Sequence, residues 1–337
     1  MKFRNVSMIE LAHVDAPEII TSRQIEKELS KTTERLGLPM GLLEHVAGIQ
    51  ERRWWPEDTM PSDAAAKAAE LVFERSGVDR NKVGVIVNTS VCRDYIEPST
   101  AAIVHHKLGL PGSCQNFDLG NACLAFLNAM DIVSGMIERG DIEYGLIVDG
   151  ESSREVQQAT IERLKGDDVS TEQFRAEFAT LTLGSGGVAM LLGAGTDSDL
   201  PKYLGGVSIA ATQWSGLCRG QRHQMTTDTK TLLAEGVSLA KETYALAQDQ
   251  LGWSDGALDE LILHQVSAVH TAKLCQFLGL DHNKALLTFP TLGNIGPASL
   301  PITLSKAIEA KRISSGQRVG LLGIGSGLNC AMSELKW

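Results

Sequence analysis

NFDLGNACLAFLNAM, residues Asn116–Met130, is the stretch around which the rest of the chain can be ordered. An extended segment near Phe117 leads into a turn of small residues, Gly120-Asn121-Ala122. From Cys123 onward apolar side chains fall on every side: Leu124, Phe126, Leu127, Met130, Ile132, Val133, Met136 and Ile137. The pattern predicts a helix buried all round, starting at or just before Cys123. A thiol there faces the positive end of the helix dipole and unpaired backbone N–H groups, which favours thiolate. The plainer reading is a packed core cysteine, because a free Cys behaves as a small hydrophobe.

Composition narrows the class. A chain of 337 residues can bury a large core and hold two domains or one duplicated fold. Its 43% hydrophobic content and 33 glycines suit an α/β enzyme rather than a disordered chain. The net charge of −10 argues against general nucleic-acid binding, so an anionic ligand needs local positive groups or helix N-termini. Six cysteines are scattered without CxxC pairs or nearby His at ligand spacing, a reduced intracellular pattern without a structural zinc site. The opening MKFRNVSMIELAHVDAPE has no signal-peptide pattern, and no stretch reaches the roughly 20 apolar residues of a membrane span. A cytoplasmic location is expected.

Met1–His13 alternates loosely and reads as a first strand. Ser22–Gly37 reads as a charged helix, and GIQERRWW (Gly48–Trp55) as a loop. Ser62 is expected to cap a helix over Ser62–Gly77. VGVIVN (Val83–Asn88) and Tyr144–Asp149 are apolar runs typical of strands buried on both faces. A polar loop, Thr89–Thr100, lies between them, and Glu151–Glu177 reads as a charged insertion with surface helix. Gly184–Gly195 is a glycine-led strand. After a Gly/Asp-rich join at Gly193–Pro201 the order repeats: a helix (Thr226–Leu251), a short strand LILH (Leu261–His264), helices at Ser267–Leu278 and Ser299–Lys311, and strands at Val319–Gly325 and Asn329–Leu335. Two βαβαβ-like halves, 1–195 and 196–337, are the expected organisation.

Two short segments of the second half stand out. LILHQVS (Leu261–Ser267) puts His264 at the exit of a buried strand, where open α/β sheets bind ligands. GNIGPASLP (Gly293–Pro301) puts Asn294 in a glycine-bounded turn just ahead of a helix. Singly, His264 could be a satisfied core histidine and Asn294 a turn residue. With Cys123 they supply a nucleophile, an imidazole and an amide donor, a recurrent arrangement for acyl transfer.

NACLAF, LILHQVS, GNIGPAS and GLLGIGSGLN, in this order, resemble the Cys-His-Asn condensing enzymes of the thiolase superfamily, ketoacyl synthase III branch. Glu97–Thr100 and the forms NACLAF, HQVS and GIGSGLNC are most similar to the acyl-CoA condensing enzymes of long-chain olefin biosynthesis, which join two fatty acyl chains head to head. The resemblance implies an α/β thiolase fold of five layers (α-β-α-β-α). It implies Cys123 as acyl acceptor, with the N–H groups of Cys123 and Ser326 as oxyanion hole. His264 and Asn294 would stabilise an enolate. GIGSG can also be a plain strand-to-strand bend.

Within this resemblance Glu97 decides the reaction. Decarboxylating ketoacyl synthases usually carry an apolar residue there that reaches into the partner subunit's acyl tunnel. A carboxylate desolvated in such a tunnel has a raised pKa and is a stronger base. It could deprotonate the α-carbon of an unactivated acyl-CoA in a non-decarboxylative Claisen condensation; the plainer reading is a surface Glu satisfied by Arg93. The implied partners are long-chain acyl-CoA as substrate, a second copy in a homodimer, and downstream ketoacid-processing enzymes, with no further cofactor and no metal. Val46 and Val269 stand where ketoacyl synthases usually have arginines. Arg52, Arg53, Arg219 and Arg222 are candidate CoA contacts, and Trp214 and Cys218 candidate channel residues. The alternatives are a decarboxylating ketoacyl synthase III using malonyl thioester, a hydroxymethylglutaryl-CoA synthase-like aldol enzyme, and a non-catalytic acyl-binding subunit.

Overall fold

The computed structural model describes residues 1–195, 200–254 and 256–337. In the first half the elements that position the site are β1 (Val6–Asp15), α1 (Pro61–Ser76), β2 (Val83–Asn88), α2 (Thr100–Lys107), β3 (Gln115–Asp118), α3 (Ala125–Glu138), β4 (Tyr144–Glu151) and β5 (Gly186–Ala194). In the second they are β6 (Lys202–Ala210), α4 (Thr229–Leu251), β7 (Glu260–Leu263), α5 (Ala268–Leu278), α6 (Ser299–Glu309), β8 (Arg318–Gly325) and β9 (Asn329–Lys336). The nine strands form one mixed sheet in the order β7-β8-β9-β6-β1-β5-β4-β2-β3.

The sheet has an internal correspondence. Outward from β1, the neighbours β5, β4, β2 and β3 pair antiparallel, antiparallel, parallel and parallel. Outward from β6, β9, β8 and β7 follow the same sequence of directions, and Leu261 makes an isolated parallel bridge to Ala285 where the fifth strand belongs. The two runs meet through the Ser7–Lys202 pair between β1 and β6. The expected join at 193–201 is only partly visible, since residues 196–199 lie outside the described residues.

Alternation along the strands makes the layers. Val85 and Val87 of β2, Ile147 of β4, Ile262 of β7 and Leu321 of β8 share one core with Phe126, Met130 and Val133 of α3 and Ile302 and Leu304 of α6. The opposite faces carry Ile86, Leu146 and Val148 against α1 and α2, and Leu261, Leu263 and Leu322 against α4 and α5. Helix, sheet, helix, sheet, helix is the resulting stack. Each fully buried large side chain contributes about 1.5–3 kcal/mol, and the middle layer draws these contributions from both halves.

Several expectations are corrected. GIQERRWW is not a loop: Glu51–Trp54 is a strand paired antiparallel with Glu18–Thr21, with Arg52 and Trp54 turned inward. The helix expected over Ser22–Gly37 is broken at buried Leu29 into Ser22–Glu28 and Ser30–Arg35. Ser62 does not cap α1. Pro61 takes the first helical position, where its missing N–H is no loss, and the Asp63 carboxylate accepts from the Met60 N–H at 3.0 Å. Lys202–Ala210, absent from the sequence reading, is the second half's counterpart of β1. Finally, α3 begins at Ala125, so Cys123 precedes the helix.

Gly184, just before β5, shows how tightly the site's scaffold is built. A Cβ there would collide with the Leu292 carbonyl oxygen, while the Gly184 N–H donates to the Asn294 carbonyl at 2.8 Å. Gly184→Ala should therefore cost about 1–3 kcal/mol in urea unfolding and displace the backbone that holds Asn294.

Candidate active site

Cys123 is delivered by a turn. Ala122 adopts φ +45°, a left-handed conformation that costs a non-glycine residue about 1–3 kcal/mol. The Leu124 and Ala125 N–H groups close the turn onto the Asn121 and Ala122 carbonyls at 3.0 and 3.1 Å. Directly behind it runs the end of β8. A Cβ on Gly325 would stand 3.3 Å from the amide nitrogens of both Cys123 and Leu124, tighter than ordinary contact, so a larger residue would press the GIGSG segment away. The segment's Asn329 also donates to Asn121 at 3.2 Å. The backbone around Ser326 is thus brought up to the Cys123 amide.

The expected thiolate is corrected. Burial pushes the Cys123 thiol up to about 12, with Cys218 and Glu151 adding to the shift. The dipole argument weighed only the helix end, whereas removal of solvent from a charged sulfur is the larger effect. In the free chain Cys123 is a protonated thiol.

His264 leaves β7 directly, its N–H donating to the Leu322 carbonyl of β8 at 2.8 Å. Gly323, the next residue of β8, packs on Leu124 and Leu127, which ties His264's strand to the Cys123 turn. His264 is 2% exposed, and its Nδ1 has no hydrogen-bond partner. Burial, with a contribution from His270, lowers its pKa to about 3; burial alone lowers His270 to about 4. Both imidazoles are neutral at physiological pH. The unfolded chain takes up these protons below its ordinary value of 6.5, and the native chain refuses them until pH 3–4. Their contribution to stability is therefore complete above pH 6.5 and is lost as the pH falls through that window. Unfolding free energy should fall less steeply between pH 6.5 and 4 in His264→Asn than in the unaltered chain; parallel slopes measured by urea titration contradict the neutral imidazole.

Asn294 sits between Gly293 at φ +68° and Gly296 at φ +55°. Its N–H donates to the Thr182 carbonyl at 2.9 Å, and its side-chain Oδ1 accepts from the Gly296 N–H at 3.0 Å. That bond fixes the amide's orientation and leaves Nδ2 as the outward donor. Gln265, fully buried, links the two motifs: its Nε2 donates to the Leu286 carbonyl at 2.6 Å, and its Oε1 accepts from the Thr288 and Phe289 N–H groups at 2.8 and 3.2 Å.

Sequence reasoning missed a pair of buried carboxylates, Asp149 and Glu151, at the end of β4. The available signal was an acid at the carboxyl end of a buried strand, where α/β sheets place ligand-facing residues; instead Glu151 was taken as the start of a charged insertion. Glu97 is exposed in the single chain, on the loop between β2 and α2, and among the described residues no ion pair joins it to Arg93. Around it Tyr95 is 54% and Ile96 98% exposed.

The arginine candidates separate. Arg52 is fully buried and donates to the Ile20 and Leu181 carbonyls and the Ser22 hydroxyl, with desolvation lowering it to about 10, so it is a structural strut and no CoA contact. Arg53 pairs with Glu51 and Arg222 with Glu155. Arg219 is exposed on the hairpin Cys218–Thr227, and Trp214 packs half-buried against the second-half core. That hairpin brings Cys218 toward Cys123. Val46 and Val269 are both exposed and stand close together, because the Ala268 N–H donates to the Ala47 carbonyl at 2.9 Å.

Residues 248–337 match the C-terminal family of 3-oxoacyl-[acyl-carrier-protein] synthase III. An acyl-CoA:acyl-CoA alkyltransferase of Xanthomonas campestris is 48% identical over the full length of both chains, and one of Shewanella oneidensis is 36% identical, again over both full lengths. Xanthomonas campestris OleA crystallised with lauric acid and lauroyl-CoA superposes with a TM-score of 0.98 at 48% identity, covering 99% of this chain and 100% of that one. The chain belongs to the OleA family. Its sheet order, layers and flanking helices are those of OleA and of the thiolase fold. Further OleA crystal structures carry substitutions at one cysteine, one glutamate and one histidine. Among the described residues no helix is long and apolar enough to cross a membrane, and no cluster of three or more metal-ligating side chains occurs.

Proposed function

We propose that this chain condenses two long-chain acyl-CoA molecules by a non-decarboxylative Claisen reaction to a 2-alkyl-3-ketoacid. The observation that carries the reading is the close approach of the GIGSG backbone to the Cys123 turn, with His264's strand tied to that turn through Gly323, in a chain of OleA kinship. The spacing of the altered residues in OleA supports the assignment. Glutamate and cysteine are as far apart there as Glu97 and Cys123 are here, and the separation of cysteine and histidine differs by one position.

Cys123 attacks the first thioester. The carbonyl oxygen, negative in the tetrahedral state, takes hydrogen bonds from the N–H groups of Cys123 and Ser326; losing one such donor costs about 10²–10³ in rate. The bond to CoA breaks, and the proton shed by Cys123 ends on the departing sulfur. Proton transfer between two thiols of similar kind makes a resting thiolate unnecessary, in keeping with the raised Cys123. Glu97 of a neighbouring copy removes the α-proton of the second acyl-CoA. Neutral His264 and the Nδ2 of Asn294 donate to the enolate oxygen. The α-carbon attacks the Cys123 thioester, the C–S bond breaks, and water hydrolyses the remaining CoA thioester.

The exposed apolar tip around Glu97 supports a homodimer in which the loop is covered by the partner. The product is a β-ketoacid, prone to lose CO₂, so a ketoacid-processing enzyme has to take it promptly. Six free cysteines support a reducing, cytoplasmic location. The test supplies one acyl-CoA without malonate or carrier protein and analyses products by mass. A coupled ketoacid or its decarboxylated ketone is expected. A malonyl requirement overturns the reading in favour of ketoacyl synthase chemistry, and free fatty acid alone points to a thioesterase.

A further inference from the structure

The segment between β2 and α2 has to present Glu97 at a fixed place, yet its tip is exposed. Two other carboxylates hold it on either side of the tip. Asp94 accepts from the Ser62 N–H and hydroxyl at 2.9 and 2.5 Å, and Asp118 accepts from the Thr100 and Ala101 N–H groups at 3.0 and 2.8 Å. Its near end is fastened by Glu151, which is 4% exposed. Glu151 Oε1 accepts from the Val91 N–H at 2.6 Å and Oε2 from the Cys92 N–H at 3.2 Å. The same carboxyl group borders the Asn294 turn, since a Cβ on Gly296 would lie 3.6 Å from its carboxyl carbon. We propose that Glu151 is the positioning residue that sets the Glu97 loop in register with the Asn294 turn.

A buried carboxylate without a cation is costly, and here a second one, Asp149, lies beside it, bonded to the Thr89 hydroxyl at 2.5 Å. Among the described residues no Lys or Arg pairs with either. Loop fastening alone could be done by a neutral side chain; an ionised one makes both N–H bonds charge-assisted and roughly twice as strong. Burial and the neighbouring acid raise Asp149 well above its usual range, and burial raises Glu151 to about 7. The other titratable groups around Glu151 are Cys92 in the loop and Cys123 ahead of α3. Ionisation of Glu151, and with it the grip on the loop, thus falls near pH 7.

The inference rests on Glu97 being the base. Glu151→Gln keeps the shape and one acceptor oxygen but cannot accept from both amides. It is expected to speed hydrogen exchange at Val91 and Cys92, leave thioester formation on Cys123 within about twofold, and lower coupling about 10–100-fold, the penalty for a misplaced reacting group. The change in coupling rate of the unaltered enzyme near pH 7 should vanish in this variant, and Glu151→Asp should recover part of the loss. Unchanged exchange at the two amides, or acylation falling in step with coupling, overturns the proposal. Should Glu151→Gln not fold, Glu151→Asp carries the same readouts. Glu97→Gln in the same assays separates the two ideas: full coupling there sinks the base reading, whereas amide exchange in the Glu151 variants reports the anchor by itself.

Discussion

Cys123→Ala is expected to fold normally and to lose condensation by on the order of 10⁴-fold or more, the scale seen when a covalent nucleophile is removed. The loss is large because the sulfur has two parts in the reaction. It accepts the first acyl group, and its thioester is the electrophile the enolate attacks, so no residual route through Glu97, His264 and Asn294 can form the new C–C bond. Removing the half-buried thiol leaves only a small gap, and the Ala122 turn and Gly325 contact are backbone features that persist. Intact-protein mass after incubation with acyl-CoA gives the direct readout: the unaltered chain gains one acyl group and the variant gains none. The raised thiol makes a second readout possible. With Cys123 pushed up to about 12, iodoacetamide should label it slowly at neutral pH and about tenfold faster per pH unit, up to the thiol's own value, because only the thiolate reacts. Fast neutral labelling, or condensation surviving in the alanine variant, contradicts this account.

The same thiol shows where the sequence was readable and where it was not. Val83–Asn88, Tyr144–Asp149 and Val319–Gly325 were legible because strands buried on both faces need uninterrupted apolar runs, and such runs stand out between glycines. His264 and Asn294 were legible because a strand exit and a glycine-bounded turn are local properties. Lys202–Ala210 was not: in KYLGGVSIA two central glycines split the β-formers Tyr203, Val207 and Ile209, and the strand is held by its pairing with Asn329–Lys336. Glu51–Trp54 likewise becomes a strand through Glu18–Thr21, a partner distant in sequence. For Cys123 the sequence pointed toward a lowered thiol pKa and burial raises it, since a dipole is visible in a helix pattern but the walls that exclude water are not. Glu151 was hidden for the same reason. Its neighbours in sequence, Ser152 through Arg154, look like surface, while its neighbours in space are the backbone of Val91, Cys92 and Gly296.

Glu97 is the residue whose surroundings the single chain leaves unfinished, and a mixing experiment decides whether a second copy completes them. Glu97→Ala should still form the Cys123 thioester but lose coupling by about 10²–10⁴-fold, the usual contribution of a positioned base. Cys123→Ala has its Glu97 intact. If the loop crosses to the partner, a dimer of one protomer of each kind holds one complete site: Cys123 from the Glu97→Ala protomer and Glu97 from the Cys123→Ala protomer. Its other site lacks both groups. Random pairing in a two-fold assembly puts about half of the dimers in this mixed state, each with one working site, so the mixture should recover about one quarter of the unaltered specific activity. If Glu97 serves the thiol of its own chain, every site in the mixed dimer lacks one group, and refolding the variants together restores nothing. The exposed Tyr95 and Ile96 beside Glu97 favour the crossed arrangement, because covering them removes apolar surface from water and at the same time takes the carboxylate out of solvent. In the crossed arrangement the dimer contact would thus serve the chemistry and not stability alone.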